Sequence, residues 1–263
     1  MKYAEEIQTP EFGNGLEDIL RKRSADLFGI LNGVDYGEWN PATDPHIAAH
    51  YSAENLAGKK ECRRDLLHAF GLKGVGDETA VIGVVSRFAT QKGFDFIVEI
   101  MDKLVEEDMV LVILGNGEEY YERLLAEMAS RHPAKVRVQV KFDNVMAHKI
   151  EAGSDIFLMP SRYEPGGLNQ IYSLKYGTIP VVRATGGLDD TIDEQGNSGG
   201  NGFKFWGYSP WALLDAIHRA LSTFHNKKVW AEMMKRAMAQ DFSWDKPAAE
   251  YVRVYERVIQ NRS

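Results

Sequence analysis

Residues 155–170 read DIFLMPSRYEPGGLNQ. After its first residue, the run from Asp155 to Met159 is apolar, which predicts a buried parallel strand. The segment Leu168–Tyr176 has a helix-like pattern, so the residues between the two form a strand-to-helix turn. In an open α/β sheet such turns lie at the carboxyl edge, where ligands bind. This stretch therefore predicts an α/β fold and a site at that edge.

The same turn carries groups that suit a polyhydroxylated or phosphorylated ligand. Glu164 supplies a carboxylate, while Gly166 and Gly167 let backbone N–H groups approach a ligand at a helix N-terminus. Taken alone, the stretch is explained equally well by an ordinary glycine-rich turn. The function therefore depends on what the rest of the chain adds.

Strand-like and helix-like segments alternate from residue 80 onward. The predicted strands are Ala80–Val85, Met109–Leu114, Val136–Val140, Asp155–Met159, Ile179–Val182 and Gly202–Phe205. The predicted helices are Phe94–Val105, Glu118–Ser130, Asn144–Ala152, Leu168–Tyr176, Trp211–Phe224, Trp230–Met238 and Pro247–Ile259. This alternation predicts the fold class α/β, with a doubly wound parallel sheet and helices on both faces. Upstream, we expect helices at Tyr3–Thr9, Leu16–Ser24 and Asn55–Phe70, and a short apolar strand at Asp26–Leu31.

The composition excludes several classes of protein. The 263 residues are 44% hydrophobic and 26% charged, as in an ordinary globular protein. The net charge of −7 argues against a general nucleic-acid or anionic-membrane binder. Cys62 is the only cysteine, so no internal disulfide can form and a reducing, cytoplasmic location is expected. No run reaches transmembrane length, and the first residues do not resemble a signal peptide.

Two cations follow the first predicted strand of the sheet. Arg87 and Lys92 lie in the loop and first turn before the next helix. Two cations that converge with a helix N-terminus suit a diphosphate. Solvated surface cations are the alternative, but the position at the carboxyl end of a strand favours a functional interpretation.

Further groups are expected at the same edge of the sheet. Phe142 follows the strand Val136–Val140 and could stack on a flat base, although packing under its loop explains it equally well. Thr185 and Gly186 begin another glycine turn with free amides. No Asp-x-Asp or Cys-x-x-Cys pattern occurs, so no bound metal is expected. Together these edges predict a nucleotide-diphosphate-sugar site that uses protein cations in place of a metal.

The chain also resembles a known family over nearly its whole length. The motifs that carry the resemblance are Tyr3-Ala-Glu-Glu-Ile7, Gly29-Ile-Leu-Asn-Gly-Val-Asp35, Trp39-Asn-Pro-Ala-Thr-Asp44, Ser86–Asp95, Ser161–Gln170, Lys175-Tyr-Gly-Thr178, Thr185-Gly-Gly-Leu188 and Asp241-Phe-Ser-Trp244. Their order and spacing are similar to those of the bacterial glycogen synthase / starch synthase family, which are retaining glucosyltransferases that use ADP-glucose. The resemblance implies a GT-B fold, two Rossmann-like domains facing across a cleft, with this chain as the C-terminal, donor-binding half.

The resemblance also implies a role for each candidate residue. The catalytic set is Glu164 near the transferred glucose, with Arg87 and Lys92 on the diphosphate. The implied donor-binding set is Phe142 on the adenine, the backbone of Gly166, Gly167 and Leu168 on the sugar hydroxyls, and Thr185 and Gly186 lining the cleft. No cofactor is implied, because ADP-glucose is the donor substrate. An α-1,4-glucan is the implied acceptor.

The resemblance divides the chain and marks two departures from the family. Residues 1–33 resemble the end of the N-terminal domain, 34–75 a linker and first helix, 76–244 the nucleotide-sugar-binding domain and 245–263 a crossover helix. Gly166 stands where the family often has Cys. The family's Lys-x-Gly-Gly-Leu loop and catalytic histidine belong to an N-terminal domain that this sequence does not include. We therefore expect the chain to be inactive alone, and to self-associate or to bind a separate N-terminal half.

Three functions remain open from the sequence. The first is a retaining glucosyltransferase of glycogen or starch synthesis, with this chain as its donor-binding half. The second is a non-catalytic ADP- or ADP-glucose-binding fragment of a split or truncated synthase. The third is a GT-B transferase that uses a UDP-sugar, against which the pairing of Tyr-Glu-Pro-Gly-Gly-Leu with Thr-Gly-Gly-Leu argues.

Overall fold

The centre of the protein is a six-stranded, all-parallel sheet. The computed structural model describes residues 1–196 and 199–260. The strands are β1 (Ala80–Val85), β2 (Met109–Gly115), β3 (Val136–Val140), β4 (Ile156–Met159), β5 (Ile179–Arg183) and β6 (Phe203–Phe205). Their order across the sheet is β3-β2-β1-β4-β5-β6. The predicted parallel sheet is confirmed, and the central strands are buried on both faces as their continuous apolar runs require.

Helices precede, connect and follow the strands. They are α1 (Lys2–Glu6), α2 (Glu17–Lys22), α3 (Ala57–Ala69), α4 (Phe94–Leu104), α5 (Glu119–Arg131), α6 (Asn144–Gly153), α7 (Asn169–Lys175), α8 (Gly186–Thr191), α9 (Pro210–His225), α10 (Lys227–Met238) and α11 (Asp245–Gln260). Residues 261–263, the end of the predicted crossover segment, lie outside the described residues. No helix of the described chain combines the length and apolarity that a membrane span requires.

The sheet is covered on both faces, as predicted. Ala80, Ile82 and Val84 of β1 pack in one apolar cluster with α4, α5 and α9, whereas Val81 packs in a second cluster with α3 and α6. Successive side chains of a strand point to opposite faces, so these clusters are the two layers of a doubly wound fold.

The topology places a crevice at the carboxyl ends of β1 and β4. From β1 the chain builds β2 and β3 on one side, then crosses back to place β4, β5 and β6 on the other. The loops that follow β1 and β4 therefore diverge to opposite sides. Parallel sheets bind ligands at such a switch point.

The predicted strand at Asp26–Leu31 was wrong. A short 3₁₀ turn spans Ser24–Asp26, and residues 27–33 after it have no regular secondary structure. The apolar side chains of this segment instead line a cavity with α1 and Pro165. The apolar pattern thus reports packing against α1, and the sheet ends at β3 and β6.

A second difference concerns Thr185 and the glycines after it. They were expected to form a turn, but they start the short helix α8. Gly186 has a φ of 46°, and a Cβ on it would lie 2.0 Å from the carbonyl oxygen of Glu164. Glycine is therefore required here by a close backbone approach as well as by conformation.

Residues 39–44 anchor the upstream segment to the core. The Trp39 ring stacks between His148 and Tyr172, with centroid separations of 3.8 and 4.0 Å. The buried Asp44 carboxylate accepts a 2.5 Å hydrogen bond from the Tyr176 hydroxyl and lies 2.8 Å from His148 Nδ1. This docking explains why a segment with little regular structure is ordered against the sheet.

Candidate functional site

A cavity of about 220 Å³ lies in the crevice between β1 and β4. Its walls are the carboxyl ends of the two strands and the loops that follow them. The lining residues are Val84, Val85, Ser86, Arg87, Lys92, Leu158, Met159, Ser161, Glu164, Gly167, Leu168 and Asn169. The structure thus brings together the candidate residues Arg87, Lys92, Glu164, Gly167 and Leu168 from two loops that are far apart in sequence.

Lys92 and Glu164 form an ion pair inside this cavity. Lys92 Nζ donates to Glu164 Oε2 at 2.5 Å, and Ser161 Oγ donates to the same oxygen at 3.1 Å. Glu164 is only 8% exposed and Ser161 is buried. Burial makes this pair stronger than a surface ion pair, because water screens it less. The charges of Lys92 and Glu164 therefore neutralise each other.

Arg87 is the exposed cation of the site. Its guanidinium lies 3.5 Å from Gln91 Oε1 and has no carboxylate partner among the described residues. Gln91 in turn bridges the two loops, since Gln91 Nε2 donates to Tyr163 O at 2.7 Å and Arg162 N donates to Gln91 O at 2.8 Å. Arg87 can therefore turn toward an incoming anion without breaking an ion pair.

Phe142 borders a second cavity next to the first. This cavity measures about 350 Å³ and shares Val85, Ser86, Arg87 and Asn169 with its neighbour. The Phe142 ring is 86% exposed, so it does not pack under its loop. Arg87 consequently stands between an exposed aromatic ring on one side and the Lys92–Glu164 pair on the other.

The turn at residues 166–168 presents free backbone donors. Within the described chain, the N–H groups of Gly166, Gly167 and Leu168 donate no hydrogen bond. Gly167 adopts a φ of 64°, and Gln170 Nε2 holds the turn by donating to Gly166 O and Gly167 O at 3.1 Å each. Gly166 itself faces a different cavity, near Asn32. These donors are of the kind that a sugar hydroxyl or an oxyanion accepts.

Thr185 and Gly186 are not part of the cavity lining. Thr185 Oγ1 donates to Glu6 Oε1 at 2.9 Å, and Gly186 N lies 3.2 and 3.1 Å from the two oxygens of the same carboxylate. Their donors are therefore occupied by a protein carboxylate. A direct role for these two residues in ligand binding stays a prediction.

Sequence reasoning missed three residues of the site. Ser161 and Asn169 lie inside the quoted motif, and Asn169 Nδ2 fixes β1 to α7 by donating to Val85 O at 2.8 Å. The sequence did contain a signal for these two residues, because the Ser161 hydroxyl and the Asn169 amide lie on either side of Glu164. Glu6 lies in the Tyr3–Ile7 motif, but its contacts could not be predicted, because its partners lie 179 and 180 positions away.

One metal-like spacing in the chain proves to be structural. His46 and His50 are four residues apart, but they lie on irregular backbone, where His50 Nε2 is 3.0 Å from Asp44 O and the His46 ring contacts His148. The described residues contain no group of three or more metal-ligating side chains. The expectation of a metal-independent site stays a prediction.

The chain is similar to proteins of known kind. A family model described as "Glycosyl transferases group 1" matches residues 72–237. The glycogen synthase of Koribacter versatilis (strain Ellin345) is 54% identical over 264 residues, which cover 100% of this chain and 54% of that protein. Glycogen synthase 1 of Geobacter sulfurreducens is 47% identical, covering 99% of this chain and 52% of that protein.

A solved structure has the same architecture. The catalytic domain of starch synthase IV from Arabidopsis thaliana, bound to ADP and acarbose, superposes with a TM-score of 0.92 and 32% identity over 98% of this chain and 54% of that one. The resemblance drawn from the motifs and the expected GT-B, Rossmann-like architecture are confirmed. The chain spans about half the length of the relatives it matches.

Proposed function

The chain belongs to the family of glycosyl transferases group 1, and from this premise we propose that it is the donor-binding part of a retaining glucosyltransferase. The donor is ADP-glucose, and the acceptor is an α-1,4-glucan as in glycogen or starch synthesis. The observation that carries the proposal is that Arg87 lines two cavities. One is bordered by Phe142, and the other contains the Lys92–Glu164 pair.

This arrangement matches the three parts of a sugar nucleotide in order. A base would stack on Phe142, a diphosphate would meet Arg87 and Lys92, and a glucose would lie at Glu164 and the free amides of Gly167 and Leu168. The full-chain similarity to glycogen synthases and to a starch synthase structure with ADP bound supports an adenine nucleotide.

The chemistry follows from where the charges lie. When the glucose C1–O bond breaks, the electron pair leaves with ADP, whose phosphate oxygens gain negative charge next to Arg87 and Lys92. Positive charge that develops at the sugar ring is stabilised by the Glu164 carboxylate. The leaving phosphate takes the proton of the attacking acceptor hydroxyl on the same face, so the anomeric configuration is retained and no separate base is required.

The arrangement also supports transfer without a metal ion, because two protein cations face the diphosphate.

A cytoplasmic location is part of the same proposal, and the buried, unpaired thiol of Cys62 fits a reducing compartment.

Calorimetry with ADP and ADP-glucose tests this assignment. Arg87→Ala and Lys92→Ala should each weaken ADP binding by about 10- to 100-fold, because each removes one charge-assisted contact worth about 1.5–3 kcal/mol. Phe142→Ala should weaken it by about tenfold through lost stacking, since stacking on one aromatic ring contributes about 1–3 kcal/mol. The melting temperature of the Phe142→Ala variant should equal that of the wild type, because the ring is exposed.

The control for a general charge effect is Arg64→Ala. Arg64 is an exposed cation on α3 that pairs with Glu61, so its loss should leave ADP affinity unchanged. A chelator should leave the affinity unchanged as well. Equal effects of Arg64→Ala and Arg87→Ala, or a strict requirement for a divalent ion, would contradict the assignment.

A further inference from the structure

Glu6 lies outside the donor cavity but is tied, through the start of α8, to the cavity loop that follows β4. Its carboxylate is buried, with the residue only 8% exposed. It accepts from Thr185 Oγ1 and from the N–H of Gly186 at the start of α8. We infer that Glu6 is a positioning residue for the donor site, which sets the place of Glu164 and of the free amides that follow it. This inference rests on the proposed function of that site.

The first route from Glu6 runs through the start of α8. Gly187 N donates to Glu164 O at 3.0 Å. An added Cβ would lie 2.0 Å from Glu164 O at Gly186 and 2.0 Å from Gly166 O at Gly187. The two backbones therefore touch with no side chain between them. Any displacement of the start of α8 must also displace residues 164–166, because this backbone contact includes no flexible side chain that could absorb the movement.

The second route runs through Arg183. Arg183 Nε donates to Ser161 O at 3.2 Å, and Arg183 Nη2 donates to Arg162 O at 2.6 Å. Burial lowers the pKa of Arg183, and the Glu6 carboxylate is the first of the groups that oppose this shift. Ser161 in turn donates to the Glu164 carboxylate. Arg183 thus holds the residues before Glu164, and the Glu6 carboxylate favours the charged form of this cation.

The pattern of contacts distinguishes positioning from simple helix capping. A capping residue needs only the Gly186 N–H, whereas Glu6 also accepts from Thr185 Oγ1 and so fixes two successive residues beside the turn at 164–166. Neither route contacts Arg87 itself, because the loop after β1 is joined to the Glu164 loop through Gln91 and Lys92. Loss of Glu6 should therefore disturb recognition of the sugar and leave recognition of ADP nearly intact.

Hydrogen exchange of the ligand-free chain tests the structural step. Glu6→Ala should raise amide exchange rates about tenfold in residues 161–168 and 185–191, because local opening there becomes easier. Residues 80–92 should be unchanged. Glu6→Gln keeps an acceptor oxygen for Thr185 and Gly186 and should restore most of the protection at 185–191. Glu5→Ala, an exposed glutamate on the same helix, is the matched control. An increase confined to residues 1–30 would overturn the inference.

Calorimetry with two ligands tests the functional step. Glu6→Ala should weaken ADP-glucose binding about tenfold and ADP binding less than about twofold, with Glu5→Ala at wild-type values for both. Equal losses for the two ligands would show that Glu6 has only a structural role. If the wild type binds neither ligand, the proposed function fails. The exchange measurement then still decides whether Glu6 positions the turn.

Discussion

At the residue scale, Lys92 can pair either with the Glu164 carboxylate or with a bound phosphate. Its ammonium lies 2.5 Å from Glu164 Oε2, with the two side chains 23% and 10% exposed. A phosphate that recruits Lys92 must take it from this carboxylate. ADP binding is therefore opposed by the cost of breaking the ion pair. In ADP-glucose the sugar can compensate that cost, because its hydroxyls occupy the acceptor sites that Lys92 leaves.

The Glu164→Gln substitution tests whether Lys92 exchanges the Glu164 carboxylate for a phosphate. We expect the variant to bind ADP about three- to tenfold more tightly, because Lys92 is then released from its carboxylate; a tenfold change corresponds to about 1.4 kcal/mol. The preference for ADP-glucose over ADP should fall in the same variant. Calorimetry with both ligands measures the two effects.

The control is the same substitution in a Lys92→Ala background. There Glu164→Gln should leave ADP affinity unchanged, since the interaction that it removes is already absent. A gain of affinity that persists without Lys92 would show that Glu164 repels the nucleotide directly.

The candidate residues differ in how far the sequence predicted them. Arg87 and Lys92 could be placed because strand–helix alternation puts the end of β1 at the ligand edge. The ion pair between Lys92 and Glu164 could not, because the two are 72 positions apart and their contact depends on the register of β1 against β4. Whether Phe142 was exposed or packed was open for the same reason, since neighbouring loops decide it.

At the scale of elements, the packing of α6 on α7 buries a carboxyl group. Glu151 of α6 lies against Ser173 of α7, whose hydroxyl donates to Glu151 Oε2 at 2.7 Å. Burial raises the pKa of Glu151 to about 8 from a usual value of 4.5. Between these pH values the folded state holds a proton that the unfolded state has lost. The stability that this proton contributes is complete below pH 4.5 and disappears as the pH rises toward 8.

Glu151→Gln should remove this pH dependence. Glutamine resembles the protonated acid, so the variant should match the wild type near pH 5 and exceed it in stability at pH 7.5. The gain should be about 1.4 kcal/mol per pH unit crossed. Lys59, close to Glu151, stays protonated in most of this range, because burial lowers its pKa only to about 8.

Urea unfolding of both proteins at several pH values measures the difference. Glu127→Gln, at an exposed position on α5, is the control and should show no such trend. A difference between Glu151→Gln and wild type that is constant from pH 5 to pH 7.5 would show that Glu151 ionises normally.

The predicted elements succeed where local pattern and tertiary contact agree. Strands β1 and β3 have the predicted ends, because apolar runs of that length fit a sheet buried on both faces. The helix α8 was missed because Gly186 and Gly187 have the local signal of a turn, while their function is to approach the backbone of 164–166. The segment 26–31 was apolar for the same kind of reason, a tertiary contact with α1.

At the scale of the whole molecule, the donor-binding role that we propose accounts for one side of the transfer reaction. It spans about half the length of its glycogen synthase relatives. The last helix, α11, carries exposed apolar side chains, among them Val252 and Tyr255, and its only buried residue in the described part is Pro247. An acceptor must be held in register with the donor for transfer to be efficient, and misplacement removes most of the rate.

We therefore expect the 263-residue polypeptide to bind ADP but not to transfer glucose to glycogen. Adding the part of the Koribacter versatilis enzyme that this chain does not match should restore transfer. Incorporation of radiolabelled glucose into glycogen is the measurement, and the mixture that contains Arg87→Ala is the control. Robust incorporation by the polypeptide alone would contradict this expectation. A demonstrated complex without incorporation would favour a non-catalytic ADP-binding module.

The contact between Glu6 and the start of α8 has a consequence for how the molecule is made. Residue 6 is synthesised before the amide that it binds, which comes 180 residues later. Closing so long a stretch of chain is entropically costly, and non-local contacts of this kind form slowly. We infer that the sheet and its helices assemble first and that α1 docks onto a finished surface. A newly made chain is then compact before it can recognise a sugar, and maturation of the donor site is the last event of folding.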